Sequence, residues 1–157
     1  MLSALEPHVR SSVATLSEKH VGTALLGLQQ MKSEHEEVRS MLSALEIKVR
    51  LCSDRFTARS ICNALLGLQR MSSDHAEVRS MLSALEPKVL SSKVELNNQQ
   101  TNCAVMGLRY MNRQHAEVSA LLSALEPKLH SLNANKTVSV STGVNTSVIV
   151  EDRKSVV

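Results

Sequence analysis

Residues 64–90 read ALLGLQRMSSDHAEVRSMLSALEPKVL, and residues 24–50 read ALLGLQQMKSEHEEVRSMLSALEIKVR. Only Gln30, Lys32, Glu34, Glu36, Ile47 and Arg50 of the earlier stretch are replaced in the later one. A third, more divergent copy begins at Ala104 and keeps Gly107, Met111, His115, Ser123, Ala124, Leu125 and Glu126 at the same 40-residue spacing. A fixed period of this size marks a repeat array, in which no single unit buries its apolar face alone. Residues held constant between copies are expected to build the scaffold. Residues exchanged at matched positions are where recognition would reside.

Two helices are expected in each unit. The leading one is placed near Ser17–Met31, Ser53–Met71 and Asn97–Met111, where Val21, Leu25 and Leu28, and then Ile61, Leu65 and Leu68, recur at helical spacing. Ser17, Ser53 and Asn97 are the expected N-caps, because their side-chain oxygens accept the unpaired N–H groups of a first turn. Gly27, Gly67 and Gly107 fall inside this helix, at a cost of about 1 kcal/mol each against Ala. The same penalty in every copy points to a close backbone approach, with a helix end as the alternative.

The second helix begins near Glu34, Asp74 and Gln114, and both Ser33-Glu34-His35-Glu36 and Asp74-His75-Ala76-Glu77 read as capping boxes. Val78, Met81, Leu82, Leu85 and Val89 then form an amphipathic stripe. Pro87 and Pro127 are expected to end or kink this helix, whereas Ile47 lets its counterpart run longer.

Met1 to Arg10 (MLSALEPHVR) repeats Met41 to Arg50, so it reads as the tail of a unit and not as a targeting peptide. This half-unit leads to the expectation that the chain is a piece of a longer array. The units are bounded at 1–10, 11–50, 51–90 and 91–130, within an array spanning 1–132. Residues 133–157 (NANKTVSVSTGVNTSVIVEDRKSVV) lose the helical stripe and are expected to form a disordered tail. Their Asn135-Lys136-Thr137 and Asn145-Thr146-Ser147 sequons read as chance matches.

The composition narrows the chemistry. With Phe56, Tyr110 and no Trp, the core must be made of Leu, Val, Ala and Met, which suits closely stacked helices. Net charge is +3, mildly basic, which permits weak attraction to a polyanion. Cys52, Cys62 and Cys103 are odd in number and lack CxxC spacing, against both a disulfide framework and a zinc site. No apolar run is long enough for a membrane span.

His35-Glu36-Glu37 approaches the HExxH zinc motif, but Arg39 stands where the second histidine should be. The repeated histidines fall one per unit, too far apart to share an ion. Glu37, Glu77 and Glu117 lie in a first helical turn, where they complement the helix dipole. No catalytic constellation, phosphate loop, metal site or cofactor site is found, so the chain is not expected to be an enzyme.

The matched positions that change remain. Glu18-Lys19-His20, Ala58-Arg59-Ser60 and Asn98-Gln99-Gln100 are equivalent, as are Gly22-Thr23, Cys62-Asn63 and Asn102-Cys103. Polar, exchangeable residues in a constant apolar frame are what one-unit-per-site recognition requires, and ordinary drift of a solvent-facing surface is the alternative. A second set, Arg39, Lys48, Arg50, Arg79, Lys88 and Lys128, gives each unit a basic residue near its second helix and is a candidate phosphate track. A solvated charged face is its alternative.

Arg59-Ser60-Ile61-Cys62-Asn63-Ala64-Leu65-Leu66-Gly67-Leu68 and Ser83-Ala84-Leu85-Glu86-Pro87-Lys88 resemble the opening and closing helices of octotricopeptide-type repeats. These are found in organellar RNA-binding proteins related to RAP-domain proteins and to the RNA-editing substrate-binding complex. The resemblance covers about residues 11–130 and departs in lacking a Trp in the leading helix, a proline-rich loop and a RAP-like domain. It implies a right-handed α-solenoid whose leading helices contact single-stranded RNA at about one nucleotide per repeat, in a mitochondrion or chloroplast. On that mapping Lys19, His20, Thr23, Arg59, Ser60, Asn63, Gln99, Gln100 and Asn102 neighbour the bases.

The expectation is therefore an all-α fold: an α-solenoid of about three helical-hairpin repeats with a half-repeat before them. Single-stranded RNA is the expected partner. A protein bound in the same groove is the alternative, as is a fragment of a longer repeat protein without independent function. Uncapped ends leave self-association open.

Overall fold

Each copy of the repeated phrase folds into a short helix, a turn and a longer helix. The computed structural model describes residues 1–129. The helices are α1 (Leu2–Ser11), α2 (Glu18–Leu26), α3 (Glu36–Leu51), α4 (Ala58–Leu66), α5 (Ala76–Ser91), α6 (Asn98–Gly107) and α7 (Ala116–Leu125). A 3₁₀ turn, Glu126–Lys128, follows α7. The fold is all-α, with a single isolated bridge between Leu96 and Leu129 among the described residues. The tail expected over 133–157 lies outside them. No helix is long and apolar enough to cross a membrane, among the described residues.

The leading helices α2, α4 and α6 pack in one row, each on the helix one unit later, and the second helices α1, α3, α5 and α7 form another row in the same way. One apolar core runs between the rows. Val78, Met81, Leu82, Leu85 and Val89 are all buried there, as their stripe predicts. Each such side chain contributes about 1.5–3 kcal/mol on leaving water.

The leading helices are shorter than the periodicity predicts, and the glycines explain why. Gly27 and Gly67 are C-caps, and the chain turns over residues 27–30 and 67–70. Gly67 and Gly107 also mark a close approach, though not to the second helix of their own unit. A Cβ on Gly67 would lie 2.1 Å from the Leu25 carbonyl oxygen, and one on Gly107 would lie 2.1 Å from that of Leu65. Only hydrogen fits between one leading helix and the next.

The caps follow the sequence in part. Ser17 accepts from the His20 N–H, and Asn97 forms a reciprocal capping box with Gln100. Thr57, not Ser53, caps α4. The expected boxes at Ser33 and Asp74 do not form, because His35, His75 and His115 occupy the N-cap positions and make no side-chain cap bond.

The prolines divide as well. Pro87 sits inside α5, which is as long as α3, so its expected helix break is absent. Pro87 is exposed, so the carbonyl it cannot serve faces water. Pro127 does end its helix, in the 3₁₀ turn.

Candidate functional site

The constant polar residues join one unit to the next. Ser33 and Ser73 are fully buried. The Ser33 hydroxyl accepts from the Ser72 N–H at 2.9 Å and shares a hydrogen bond with His75 Nδ1 at 3.0 Å. Ser73 does the same one unit on, with the Asn112 N–H at 2.7 Å and His115 Nδ1 at 2.9 Å. The repeated histidine is thus a between-unit contact. Among the described residues no cluster of His, Cys, Asp or Glu is arranged to hold a metal ion.

The candidate phosphate track is committed elsewhere. Lys48 Nζ donates to the Ser12 carbonyl and, at 3.2 Å, to that of Ala14. Lys88 reaches the Cys52 carbonyl and Lys128 that of Ser92, each 36 residues back. Lys48 is only 4% exposed. These ammonium groups satisfy carbonyls left open where each preceding second helix ends.

Arg39 Nη1 donates to the Ser33 and Glu34 carbonyls at 2.7 and 2.9 Å, and Arg79 Nη1 to those of Ser73 and Asp74 at 2.7 and 3.0 Å. Arg39 also pairs with Glu77, and Arg50 with Glu46. All six cations of that set hold the scaffold, and their spacing reflects the repeat.

The nine residues expected to neighbour bases separate into two groups. Ser60 is buried, its hydroxyl donating to the Glu18 carboxylate, which also accepts from the Thr57 hydroxyl at 3.3 Å. Gln100 closes its capping box, His20 bonds the Ser17 hydroxyl at 3.0 Å, and Thr23 donates back to the Lys19 carbonyl at 2.9 Å. Lys19, Arg59, Gln99 and Asn102 are exposed and Asn63 half-buried. Their side chains have no hydrogen-bond partner among the described residues.

Positions 19, 59 and 99 lie at matched places on α2, α4 and α6, so Lys19, Arg59 and Gln99 form a column across the row. Packed helices of this kind lie about 8–10 Å apart.

A second column lies where the leading helices turn. Gln30, Arg70 and Tyr110 are all exposed, and Arg70 Nη1 donates to Gln30 Oε1 at 3.3 Å across the unit boundary. The Arg109 guanidinium sits 5.1 Å from the centre of the Tyr110 ring. The exchange of Gln30 for Arg70 between nearly identical copies was the available signal, hidden because this position lies beyond the front half of the helix. Between the two columns, Leu26 and Leu66 are half-buried and Met106 is 43% exposed.

The exposed side of the leading-helix row therefore offers the cations Lys19, Arg59, Arg70 and Arg109, the amides of Gln30, Asn63, Gln99 and Asn102, and one aromatic ring. Compared with protein-family models, with curated proteins and with solved structures, the chain matches none.

Proposed function

We propose that the chain is a non-catalytic single-stranded RNA-binding module, an α-solenoid whose leading-helix row is the reading surface. One contrast carries the proposal. Every cation of the candidate phosphate track is committed to backbone or carboxylate, while the columns through Lys19–Arg59–Gln99 and Gln30–Arg70–Tyr110 are exposed and differ from unit to unit.

Four exposed cations that form no ion pair among the described residues suit a phosphate chain, and the amides beside them suit the edges of unstacked bases. Tyr110 with Arg109 offers one stacking platform of the kind single-stranded RNA uses. The resemblance to octotricopeptide-type repeats supports the same reading and carries with it a role in organellar RNA processing.

The test is a titration of a labelled single-stranded RNA pool at increasing salt, with the wild type and an Arg59→Ala/Arg70→Ala variant. Saturable binding that weakens with salt and with the double substitution supports the reading. Absence of binding at low salt removes it. The apolar strip of Leu26, Leu66 and Met106 favours a second reading, an amphipathic protein segment laid across the same row. Binding that ignores salt but falls on Met106→Ser would move the assignment there.

A further inference from the structure

Two cysteines meet across one unit boundary. The boundaries between leading helices repeat closely, with α2 packed on α4 and α4 on α6. A Cβ on Gly67 would lie 2.1 Å from the Leu25 carbonyl oxygen and 2.4 Å from its carbon, and one on Gly107 would lie at the same two distances from Leu65. Distances across the first boundary therefore carry over to the second.

At the first boundary Gly22 opposes Asn63, and a Cβ on Gly22 would stand 3.5 Å from the Asn63 Cβ. One period later the same two places hold Cys62 and Cys103. The Cβ atoms of a disulfide stand about 3.5–4.5 Å apart, so this register suits one without a shift of either backbone. The Cys62 and Cys103 side chains are in contact, and both thiols are free. Cys52 lies elsewhere, as the C-cap of α3 in the row of second helices.

We propose that Cys62 and Cys103 are a modification site, the two ends of a reversible disulfide that joins the second unit to the third. The oxidant is a small soluble disulfide. Cys103 is half-buried and is the end reached from solvent, whereas Cys62 is buried. The Cys103 thiol gives its proton to water, and the thiolate attacks one sulfur of the small disulfide. That S–S bond breaks, and the departing thiolate takes up a proton. Cys62 needs no access of its own, because its target is the sulfur now attached to Cys103. It loses its proton, attacks Cys103 Sγ and expels the second small thiolate, which is protonated in turn. Two protein thiols are oxidised to one disulfide, and the small disulfide is reduced to two thiols. A dithiol added in excess reverses the exchange. The proposal is independent of RNA binding, since neither sulfur belongs to the two columns.

The test equilibrates the folded, full chain with oxidised glutathione, quenches it in acid and maps a tryptic digest without reduction. A link is expected between the peptides 60–70 and 94–109, in protein that runs as a single chain on a non-reducing gel. The melting midpoint should rise by about 10 °C and fall back on adding dithiothreitol. Cys103→Ala should give neither the link nor the shift. If that variant does not fold, the wild type before and after dithiothreitol supplies the same comparison. Glutathione retained on Cys103 with Cys62 still free overturns the proposal, as does a link to Cys52 or between two chains. A Cys62–Cys103 bond that forms only in urea, or one that leaves the midpoint unchanged, also overturns it.

Discussion

One glycine column gives opposite outcomes at matched positions. Gly67→Ala places a Cβ 2.1 Å from the Leu25 carbonyl oxygen, with backbone on both sides that cannot swing away. We expect a loss of about 2 kcal/mol or more, read from urea unfolding, as for other overpacked contacts. Gly27 has φ −60° and ψ −19°, a conformation alanine adopts freely, and no upstream neighbour among the described residues. Gly27→Ala is expected to stabilise by about 0.5 kcal/mol through the unfolded chain.

Cys62 gives a second prediction at this scale. Burial, then its side-chain contact with Cys103 and the charge there, push its thiol from 9.0 to about 12. Below pH 9.0 the thiol is protonated in both folded and unfolded chains and contributes no pH dependence. As pH rises from 9.0 toward 12, the unfolded chain releases the proton while the folded one keeps it, so stability falls. Wild type should lose stability across that window faster than Cys62→Ala. Native Cys62 should also resist iodoacetamide at pH 8, when followed by mass spectrometry. Rapid native alkylation would contradict the burial.

Among the elements, the second helices were the legible ones, because a long apolar stripe specifies both their type and their buried face. The leading helices were legible in place but not in length. Their apolar periodicity continues through Leu28 and Leu68 into a turn, where those residues stay buried without being helical. His75 and His115 as N-caps were unreadable because their partner is a serine in another unit. The same holds for Lys48 and Lys88, whose acceptors lie 36 residues away. Local spacing cannot show a contact made one period back.

Pro87 does not end α5, for a related reason. Packing by Leu82, Leu85 and Val89 holds α5 together across a residue that local preference would use to end it. Pro87→Ala should therefore stabilise by about 2 kcal/mol, the helical penalty of proline less what it gains by stiffening the unfolded chain. Thermal denaturation checks it. An unchanged midpoint would mean that Pro87 costs α5 nothing where it stands.

For the molecule as a whole, charge is divided by row. The second helices spend their cations on carbonyls and on pairs such as Arg10 with Glu6, and the leading helices leave Lys19, Arg59, Arg70 and Arg109 to solvent. If all four meet phosphates, the logarithm of RNA affinity should fall against the logarithm of salt with a slope of about −3. Arg59→Ala/Arg70→Ala should flatten that slope by roughly half. A slope that the double substitution leaves unchanged would place the phosphate contacts elsewhere. Half of this surface was readable in the sequence, in Lys19, Arg59 and Gln99. The half through Gln30, Arg70 and Tyr110 needed the turn after each leading helix to be located.

The bonds between units have a kinetic corollary. Gln69 to Gln29, Ser72 to Ser33, His75 to Ser33, Lys88 to Cys52 and Thr57 to Glu18 all bridge between 36 and 42 residues. Loop-closure entropy rises only with the logarithm of the segment being closed. Duplicating the module would multiply such closures without lengthening any of them, so relative contact order would decline as the chain grew. A longer version made by gene duplication would face no steeper entropic barrier at each step than this one does.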